Sequence, residues 1–180
     1  MLYKVINDFL PTDLLKHVND NMLNDNFPWF YHQYVAEEGE DTADEFYFTH
    51  TFFDGKRREI NSPFYEDIMV PFLFVFMGKE YDLIRAKSNM FTRRDKQIKY
   101  GLHKDYAYDK HTTLVFSNNT NNGGTEFEDG TFIPSIENQL LVFDGNIKHR
   151  SVGQTDTNHR INLNINLMHD PKRFINEWFV

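Results

Sequence analysis

Apolar and polar residues alternate along much of the C-terminal half of the chain. The alternation is strict from Arg160 to Leu167, so one face of an extended strand carries Arg160 and three asparagines while the other carries isoleucines and leucines. Similar strand-like segments follow one another after Tyr81, separated by turn sequences such as Asp129-Gly130 and Asp144-Gly145. This pattern predicts about seven or eight short strands of an all-β sandwich or barrel.

The N-terminal part shows a different periodicity. A short strand is predicted from Tyr3 to Ile6, and Thr12 is expected to cap a helix whose apolar residues recur at helical spacing. A second, mostly apolar helix is predicted to start at Ser62-Pro63 and to end at Gly78. Between the two helices, aromatic residues alternate with polar ones from Phe27 to Phe53, which predicts extended structure.

Two helices followed by a series of short strands predict a mainly β fold with flanking helices. The expected architecture is a double-stranded β-helix, a jelly-roll, cupin-like barrel whose mouth holds a site. We expect one domain over residues 1–180, with residues 1–80 as helical and extended support and residues 81–170 as the β-helix core. The C-terminal RFINEWFV sequence is expected to close the core as a strand or turn, or else to dock another subunit.

Composition narrows the class of protein. With 26% charged and 40% apolar residues the chain is typical of a globular protein, and the longest apolar run, Ile68 to Met77, is far too short to span a membrane. The N-terminus lacks the pattern of a secretory signal, and there is no cysteine. These features favour a cytoplasmic protein without disulfides, in which any metal must be held by nitrogen and oxygen.

The net charge of −8 argues against a nucleic-acid partner, because neutralising phosphates requires clustered lysine and arginine. The best basic cluster, Lys56 to Arg58, is read as a solvated turn. A protein, a peptide or a small molecule is therefore the favoured substrate or partner.

A candidate metal site begins at His103-Lys104-Asp105. On an extended strand, residues two apart point to the same side, so His103 and Asp105 can coordinate one ion together with a third ligand from elsewhere. The tripeptide alone is a weak signal in a chain with eight histidines. Asp109 and His111 offer a rival cluster with Asp105, but no matching third element follows that cluster.

The sequence downstream strengthens the first cluster. A strand, a Gly-Gly turn and the strand LLVFDG lead to His149, and Arg160 follows eleven residues later at the start of the alternating strand. Two imidazoles and one carboxylate leave three positions open on an iron ion, as non-haem Fe(II) oxygenases require.

In this order, the motifs YGLHKD, TTLVFSNNTNNGGTEF, LLVFDGNIKH and HRINLNI resemble the Fe(II)- and 2-oxoglutarate-dependent oxygenase superfamily. Within it, they are most similar to the prolyl 4-hydroxylase-like single-domain enzymes of bacteria and phages. The resemblance covers Leu83 to Leu167. It implies that His103, Asp105 and His149 bind Fe(II), and that Arg160 pairs with the distal carboxylate of 2-oxoglutarate.

By the same resemblance, Tyr100 matches a tyrosine that in some members also hydrogen-bonds that carboxylate. Two positions depart from the family: many prolyl hydroxylases carry lysine in place of Arg160, and relatives often carry serine in place of Asn162. A closing segment is expected over the site, with Glu37 to Glu45 and Arg93 to Lys99 as candidates.

The implied activity is hydroxylation of a protein or peptide residue, with proline favoured, using O₂ and 2-oxoglutarate and releasing succinate and CO₂. Asp105 disfavours halogenation, because related halogenases have a small residue there. Asn166, where repair demethylases carry a second arginine, disfavours nucleic-acid demethylation. Two alternatives stay open: the same chemistry on a free amino acid, small metabolite or nucleotide, and a cupin-like metal-binding module without oxygenase activity.

Overall fold

The computed structural model describes residues 2–35, 46–75 and 82–178. The elements in chain order are β1 (Tyr3–Ile6), α1 (Thr12–Met22), β2 (Phe30–His32), β3 (Tyr47–Asp54), β4 (Glu59–Ile60), α2 (Tyr65–Val75), β5 (Asp82–Thr92), β6 (Thr112–Ser117), β7 (Gly124–Phe127), β8 (Phe132–Pro134), β9 (Gln139–Asp144), β10 (His149–Val152), β11 (His159–Met168) and α3 (Pro171–Trp178). The chain is thus mainly β with flanking helices, as predicted.

The strands form two antiparallel sheets. The larger has the order β1-β9-β6-β11-β5-β3-β2, with β4 paired to β3, and the smaller has the order β10-β7-β8. Half of the strands in the large sheet come from the first 80 residues, so this part of the chain extends the barrel as well as supporting it. The two sheets meet where Phe127 packs against Phe143 with ring centroids 5.1 Å apart.

The helices cover the outer face of the large sheet. Buried side chains of α1, α2 and α3 form one cluster with the apolar residues of β6, β9 and β11, and this cluster is the main hydrophobic core. Burial of such side chains contributes about 1.5 to 3 kcal/mol each, which makes this layer the chief source of stability. The inner face of the large sheet packs against the small sheet and carries polar side chains.

Strand β11 shows how the sequence divides these two faces. Ile161, Leu163 and Ile165 lie in the main core, whereas Asn162 and Asn164 line a cleft on the opposite face. The strict alternation of the sequence therefore predicted both faces correctly. This two-layer arrangement, with helices outside and polar residues inside, confirms the double-stranded β-helix.

Some element predictions were wrong. The C-terminal segment is the helix α3, because the Asp170 side chain accepts hydrogen bonds from the backbone N–H groups of Lys172 and Arg173 and Pro171 occupies the first helical position. The strand expected near residues 97–106 is reduced to isolated bridges at Lys99 and His103.

The helix ends also differ from expectation. Thr12 is the first helical residue of α1, and no side chain caps that end. Helix α2 starts at Tyr65 and contains Pro71, while its predicted end at Gly78 lies outside the described residues. No helix in the described part of the chain combines the length and apolar character needed to cross a membrane.

Candidate active site

Two histidines face each other at the mouth of the barrel. His103 and His149 form an isolated antiparallel bridge, in which each backbone N–H donates to the other's carbonyl at 2.9 Å. This pairing brings a residue from the loop after β5 next to the first residue of β10. The imidazole centroids lie 4.9 Å apart as a result.

Both imidazoles are oriented by the backbone next to them. Nδ1 of His103 donates to the carbonyl of Gly101 at 3.0 Å, and Nδ1 of His149 donates to the carbonyl of Ile147 at 3.1 Å. Because a carbonyl can only accept, the proton of each neutral ring sits on Nδ1 and the lone pair on Nε2. Burial lowers the pKa of His149, which favours this neutral form.

Asp105 is the most heavily hydrogen-bonded carboxylate near these histidines. One oxygen accepts from Arg85 at 2.9 Å, and the other accepts from the amides of Asn164 at 3.1 Å and Asn166 at 2.9 Å. Arg85 also donates to Asn166, so the partners of Asp105 are bonded to each other. The carboxylate is therefore held in one orientation.

The charge state of Asp105 follows from the same contacts. Burial by itself raises the pKa of this carboxyl, but the charge of Arg85 above all, together with Lys87 and the hydrogen bond from Asn166, outweighs burial and holds the pKa well below its usual range. Asp105 is ionised at any physiological pH.

The three side chains fit a common metal ion. Nε2 of His103 lies 3.8 Å from one oxygen of Asp105, and Nε2 of His149 lies 4.0 Å from the other. Two ligand atoms bonded to one transition metal at about 2.0 to 2.2 Å lie at most roughly 4.2 Å apart when they are on opposite sides of the ion, and closer when they share one side. A small inward movement of these side chains would therefore place all three on one ion. In the part of the chain that the structure describes, no other group of three His, Asp or Glu residues offers ligand atoms within 4.8 Å of one another.

Arg160 lies on the inner face of β11 and is only 1% exposed. Its Nε donates to the hydroxyl of Ser135 at 2.8 Å, and one terminal nitrogen donates to the carbonyl of Gly124 at 3.0 Å. The other terminal nitrogen, Nη1, is buried without a hydrogen-bond partner in the described structure. Burial lowers the pKa of Arg160 to about 10, so the group stays charged at neutral pH.

An unpartnered buried donor costs about 1 to 3 kcal/mol unless a ligand satisfies it. The free Nη1 of Arg160 therefore fits an anionic ligand such as a carboxylate. The guanidinium carbon lies 5.1 Å from the ring centroid of Phe91, and Phe91 lines the same cleft as His103, Asp105 and His149.

Tyr100 is buried close to Arg160. Its backbone N–H donates to the carbonyl of Ser151 at 3.1 Å, and its ring packs against Phe91 with centroids 5.0 Å apart. The guanidinium of Arg160 lies over the same Phe91 ring, with its carbon 5.1 Å from the ring centroid. The structure thus places Tyr100 and Arg160 against one buried aromatic ring.

The cleft has polar walls contributed by β5 and β11. Its lining includes Tyr47, Lys87, Asn89, Phe91, Asn162 and Asn164 together with the three candidate metal ligands. Asn89 donates to Asn162 at 2.7 Å, while the Oδ1 atoms of Asn89 and Asn164 are buried without partners. These unsatisfied atoms are a second sign that the cleft is shaped for a polar ligand.

Two functional side chains escaped the sequence analysis. Arg85 and Lys87 both lie on the inner face of β5, one beside Asp105 and the other in the cleft lining. Burial, followed by the charge of Arg85, lowers the pKa of Lys87 to about 7. The alternation of β5, with Ile84, Ala86 and Ser88 buried on the helical side, indicates that the two side chains share the opposite face, but not that this face lines a cleft.

Other predicted positions lie elsewhere. Asp109 and His111, the rival cluster, form no metal-like group with Asp105 among the described residues. Residues 93–99 are tied by backbone hydrogen bonds to the loop after β10. The other candidate for a closing segment, Glu37 to Glu45, lies outside the described residues.

Comparison with solved structures shows which fold this is. The chain is similar to an oxidoreductase of the 2OG-Fe(II) oxygenase family from Burkholderia pseudomallei, with a TM-score of 0.69 and 15% identity over 92% of this chain and 84% of that one. It is also similar to a prolyl hydroxylase from Trichoplax adhaerens in complex with a hypoxia inducible factor oxygen degradation domain peptide fragment. That match has a TM-score of 0.60 and 15% identity over 97% of this chain and 86% of that one.

A third similar structure is the non-heme alpha ketoglutarate dependent epimerase SnoN from nogalamycin biosynthesis, with a TM-score of 0.63 and 11% identity over 93% of this chain and 77% of that one. No protein-family model and no curated protein sequence matches the chain. At these identities, the comparisons establish the fold of the 2-oxoglutarate and Fe(II) oxygenases.

Proposed function

We propose that this chain is an Fe(II)- and 2-oxoglutarate-dependent dioxygenase that hydroxylates a protein or peptide residue and releases succinate and CO₂. The observation that carries the proposal is the shared cleft. His103, Asp105 and His149 converge in it, and Phe91 of the same lining lies against a buried arginine that has a free N–H. A metal and a dicarboxylate would satisfy both groups at once.

His103, Asp105 and His149 are the proposed ligands of Fe(II). Both imidazoles already present Nε2, and Asp105 needs no proton removed before it binds a cation. When bound, Fe(II) and 2-oxoglutarate would supply the activation of O₂ and the oxidising power for hydroxylation. Asp105 occupies a coordination position that a halide would need, so hydroxylation is favoured over halogenation.

Arg160 is the proposed partner of the distal carboxylate of 2-oxoglutarate. Ser135 and Gly124 hold two nitrogens of the guanidinium, which fixes the direction of the free Nη1. A charge-assisted hydrogen bond in a buried site orients the cosubstrate as well as binding it. Tyr100 is proposed to contact the same carboxylate, which its position beside Arg160 supports.

The rings of Tyr47 and Phe91 shape the same cleft. Their centroids lie 5.6 Å apart, and both side chains are almost fully buried. An apolar wall of this kind displaces water from the reacting atoms, which strengthens the electrostatic contacts that the polar residues make. Closure by an additional segment would complete this exclusion.

A protein or peptide substrate, with proline favoured, is supported by the similar prolyl hydroxylase that was solved with a peptide fragment. The alternative is the same chemistry on a small molecule, which the similarity to an epimerase from nogalamycin biosynthesis supports. We further propose that residues 1–180 act as a single oxygenase domain in the cytoplasm. The net charge of −8 favours these substrate classes over nucleic acid.

Binding of 2-oxoglutarate to the anaerobic Fe(II) protein, measured by calorimetry, tests the proposal. We expect His149→Ala to abolish metal-dependent binding, and Arg160→Ala to weaken it by about 10- to 100-fold, the range for loss of a charged hydrogen bond. Arg58→Ala, at an exposed arginine outside the cleft lining, serves as the matched control and should bind normally.

Normal Fe(II) binding without any 2-oxoglutarate binding would contradict the oxygenase proposal and favour the cupin-like metal-binding module. Metal-dependent binding that is not weakened in Arg160→Ala would refute only the role of this arginine.

A further inference from the structure

Lys87 occupies a defined place in the cleft, close to the candidate metal ligands. On β5 it pairs across the sheet with Asn164 of β11, and the amide of Asn164 donates to Asp105 at 3.1 Å. Arg160 pairs with Phe91, four residues further along β5. At about 3.3 Å per residue, the backbone positions of the two cations are roughly 13 Å apart, so Lys87 and Arg160 act at separate places along the sheet.

The ammonium of Lys87 has no acidic partner or hydrogen-bond acceptor among the described residues. Its nearest characterised neighbour is the ring of Tyr47, whose centroid lies 5.6 Å from Nζ. The neighbouring cations already form ion pairs, since Arg85 pairs with Asp105 and Lys99 pairs with Glu126. Lys87 is partly buried in the cleft lining and therefore differs from a solvated surface lysine.

The charges around Lys87 do not balance without a further anion. Besides burial, the groups that act on it are Arg85 and Asp105, and burial together with the charge of Lys87 lowers the pKa of His32, whose ring centroid lies 5.5 Å from that of Tyr47. In this part of the molecule, Arg85, Arg160 and the protonated form of Lys87 outnumber Asp105. The two charges of a metal ion would be balanced by the two carboxylates of 2-oxoglutarate, so an excess of positive charge would remain.

We propose that Lys87 determines substrate specificity by binding an anionic group, a carboxylate or a phosphate, on the substrate. The inference rests on the proposed function and narrows its substrate class. In a peptide, the anion would be an acidic side chain or a terminal carboxylate near the hydroxylated residue, and in a small molecule its own acid group. A buried cation without a partner is costly, and an anion placed there relieves that cost.

Calorimetry on the anaerobic protein loaded with Fe(II) and 2-oxoglutarate tests this inference. The probes are acetate, inorganic phosphate and the neutral acetamide, titrated at constant ionic strength. We expect at least one anion to bind while acetamide does not, and Lys87→Met to weaken anion binding by about tenfold or more. Lys87→Arg keeps the charge and should keep binding.

Lys110→Met is the matched control, because this lysine is exposed and pairs with Asp170 outside the cleft lining. It should bind the anions as the unmodified chain does. Equal anion binding in the unmodified chain and in Lys87→Met would overturn the inference, as would the absence of binding for both anions.

The affinity for 2-oxoglutarate shows whether Lys87 binds an anion of the substrate or a carboxylate of the cosubstrate. We expect Lys87→Met to bind 2-oxoglutarate as tightly as the unmodified chain. If it loses that affinity to the extent of Arg160→Ala, Lys87 serves the cosubstrate and the inference fails. If the unmodified chain binds no 2-oxoglutarate, the proposed function fails, whereas intact 2-oxoglutarate binding without anion binding refutes only the role of Lys87.

Discussion

Arg85 shows how one side chain outside the metal-binding set can control the site. It donates to Asp105 at 2.9 Å and to Asn166 at 3.1 Å, and its guanidinium carbon lies 5.1 Å from the ring centroid of Tyr106. Partners of metal ligands orient them and tune their basicity. Arg85 is thus a positioning residue for Asp105, since it fixes the carboxylate through two routes.

Replacing Arg85 with methionine should lower the affinity for Fe(II) by about 10- to 100-fold, because the buried Asp105 would lose its charged partner and its fixed orientation. The affinity can be measured by competition with a chromogenic chelator under anaerobic conditions. Arg57→Met removes an arginine whose side chain is 71% exposed and should leave the affinity unchanged. An unaltered affinity in Arg85→Met would show that the two asparagines alone hold Asp105.

Some residues of the site can be recognised from the sequence, and others cannot. His103, Asp105, His149 and Arg160 were predicted because their order and spacing form a motif. The structure brings the first three together in one cleft and places Arg160 against Phe91 of the cleft lining. Arg85 and Lys87 belong to no motif, since a charged residue on a strand can face solvent or a cleft with the same local sequence. Only the pairing of β5 with β11 decides that both point inward.

At the scale of elements, the turn before β7 supports the anion-binding end of the cleft. A Cβ atom added at Gly123 would lie 2.6 Å from the carbonyl oxygen of Val152 and 2.9 Å from Cδ of Arg160. Real Cβ contacts of this length do not occur, so an alanine would displace the turn or the arginine. Glycine is needed here because the turn passes close to Val152 of β10 and Arg160 of β11.

Gly123→Ala is therefore expected to weaken 2-oxoglutarate binding by roughly 10- to 100-fold through displacement of Arg160, while the affinity for Fe(II) is kept. Calorimetry with the metal-loaded protein gives both values. Gly153→Ala is the matched control, because its nearest contact would be an ordinary 3.6 Å. Equal losses in both variants would point to general destabilisation instead of movement of the arginine.

Elements with strong periodicity were predicted well, and elements defined by long-range pairing were not. Strand β11 was found by its alternation, and β1 by its short apolar run. Helix α3 was missed because its aromatic residues suggested a strand, although Asp170-Pro171 is a helix-start signal. Near His103, the backbone pairs only with β10, which is distant in sequence, so local pattern could not reveal that the segment forms isolated bridges.

Across the whole molecule, a buried histidine links three segments of the N-terminal part. Nδ1 of His50 on β3 donates to the carbonyl of Pro28 at 2.8 Å, and its Nε2 accepts from the hydroxyl of Ser62 at 2.6 Å. The ring also packs on Phe27 with centroids 4.4 Å apart. Burial lowers the pKa of His50, although the hydrogen bond to Pro28 opposes this effect.

This histidine should make the stability of the molecule depend on pH. Its pKa in the folded chain lies below the unfolded value of about 6.5, so the unfolded chain takes up the proton first as the pH falls. The contribution of His50 is complete above about pH 6.5 and is lost towards the lower folded pKa. Unfolding free energies from urea titrations near pH 7.5 and 5.5 measure the loss.

We expect the loss to be smaller in His50→Gln than in the unmodified chain. His17→Gln, at a largely exposed histidine, is the matched control and should lose as much stability as the unmodified chain. If His50→Gln retains the full pH dependence of the unfolding free energy, other groups cause that dependence and the prediction for His50 is wrong.

The sequence by itself predicted the fold class, the succession of short strands along the chain and the three residues His103, Asp105 and His149 that lie together as a candidate metal site. These follow from local periodicity, turn chemistry and motif spacing, all of which act over short distances along the chain. Only the tertiary structure decided that Arg85 holds Asp105, that one nitrogen of Arg160 stays free and that Lys87 faces the cleft without an anion. Such properties depend on which strands lie side by side and on which partners remain after burial, and no single segment contains that information.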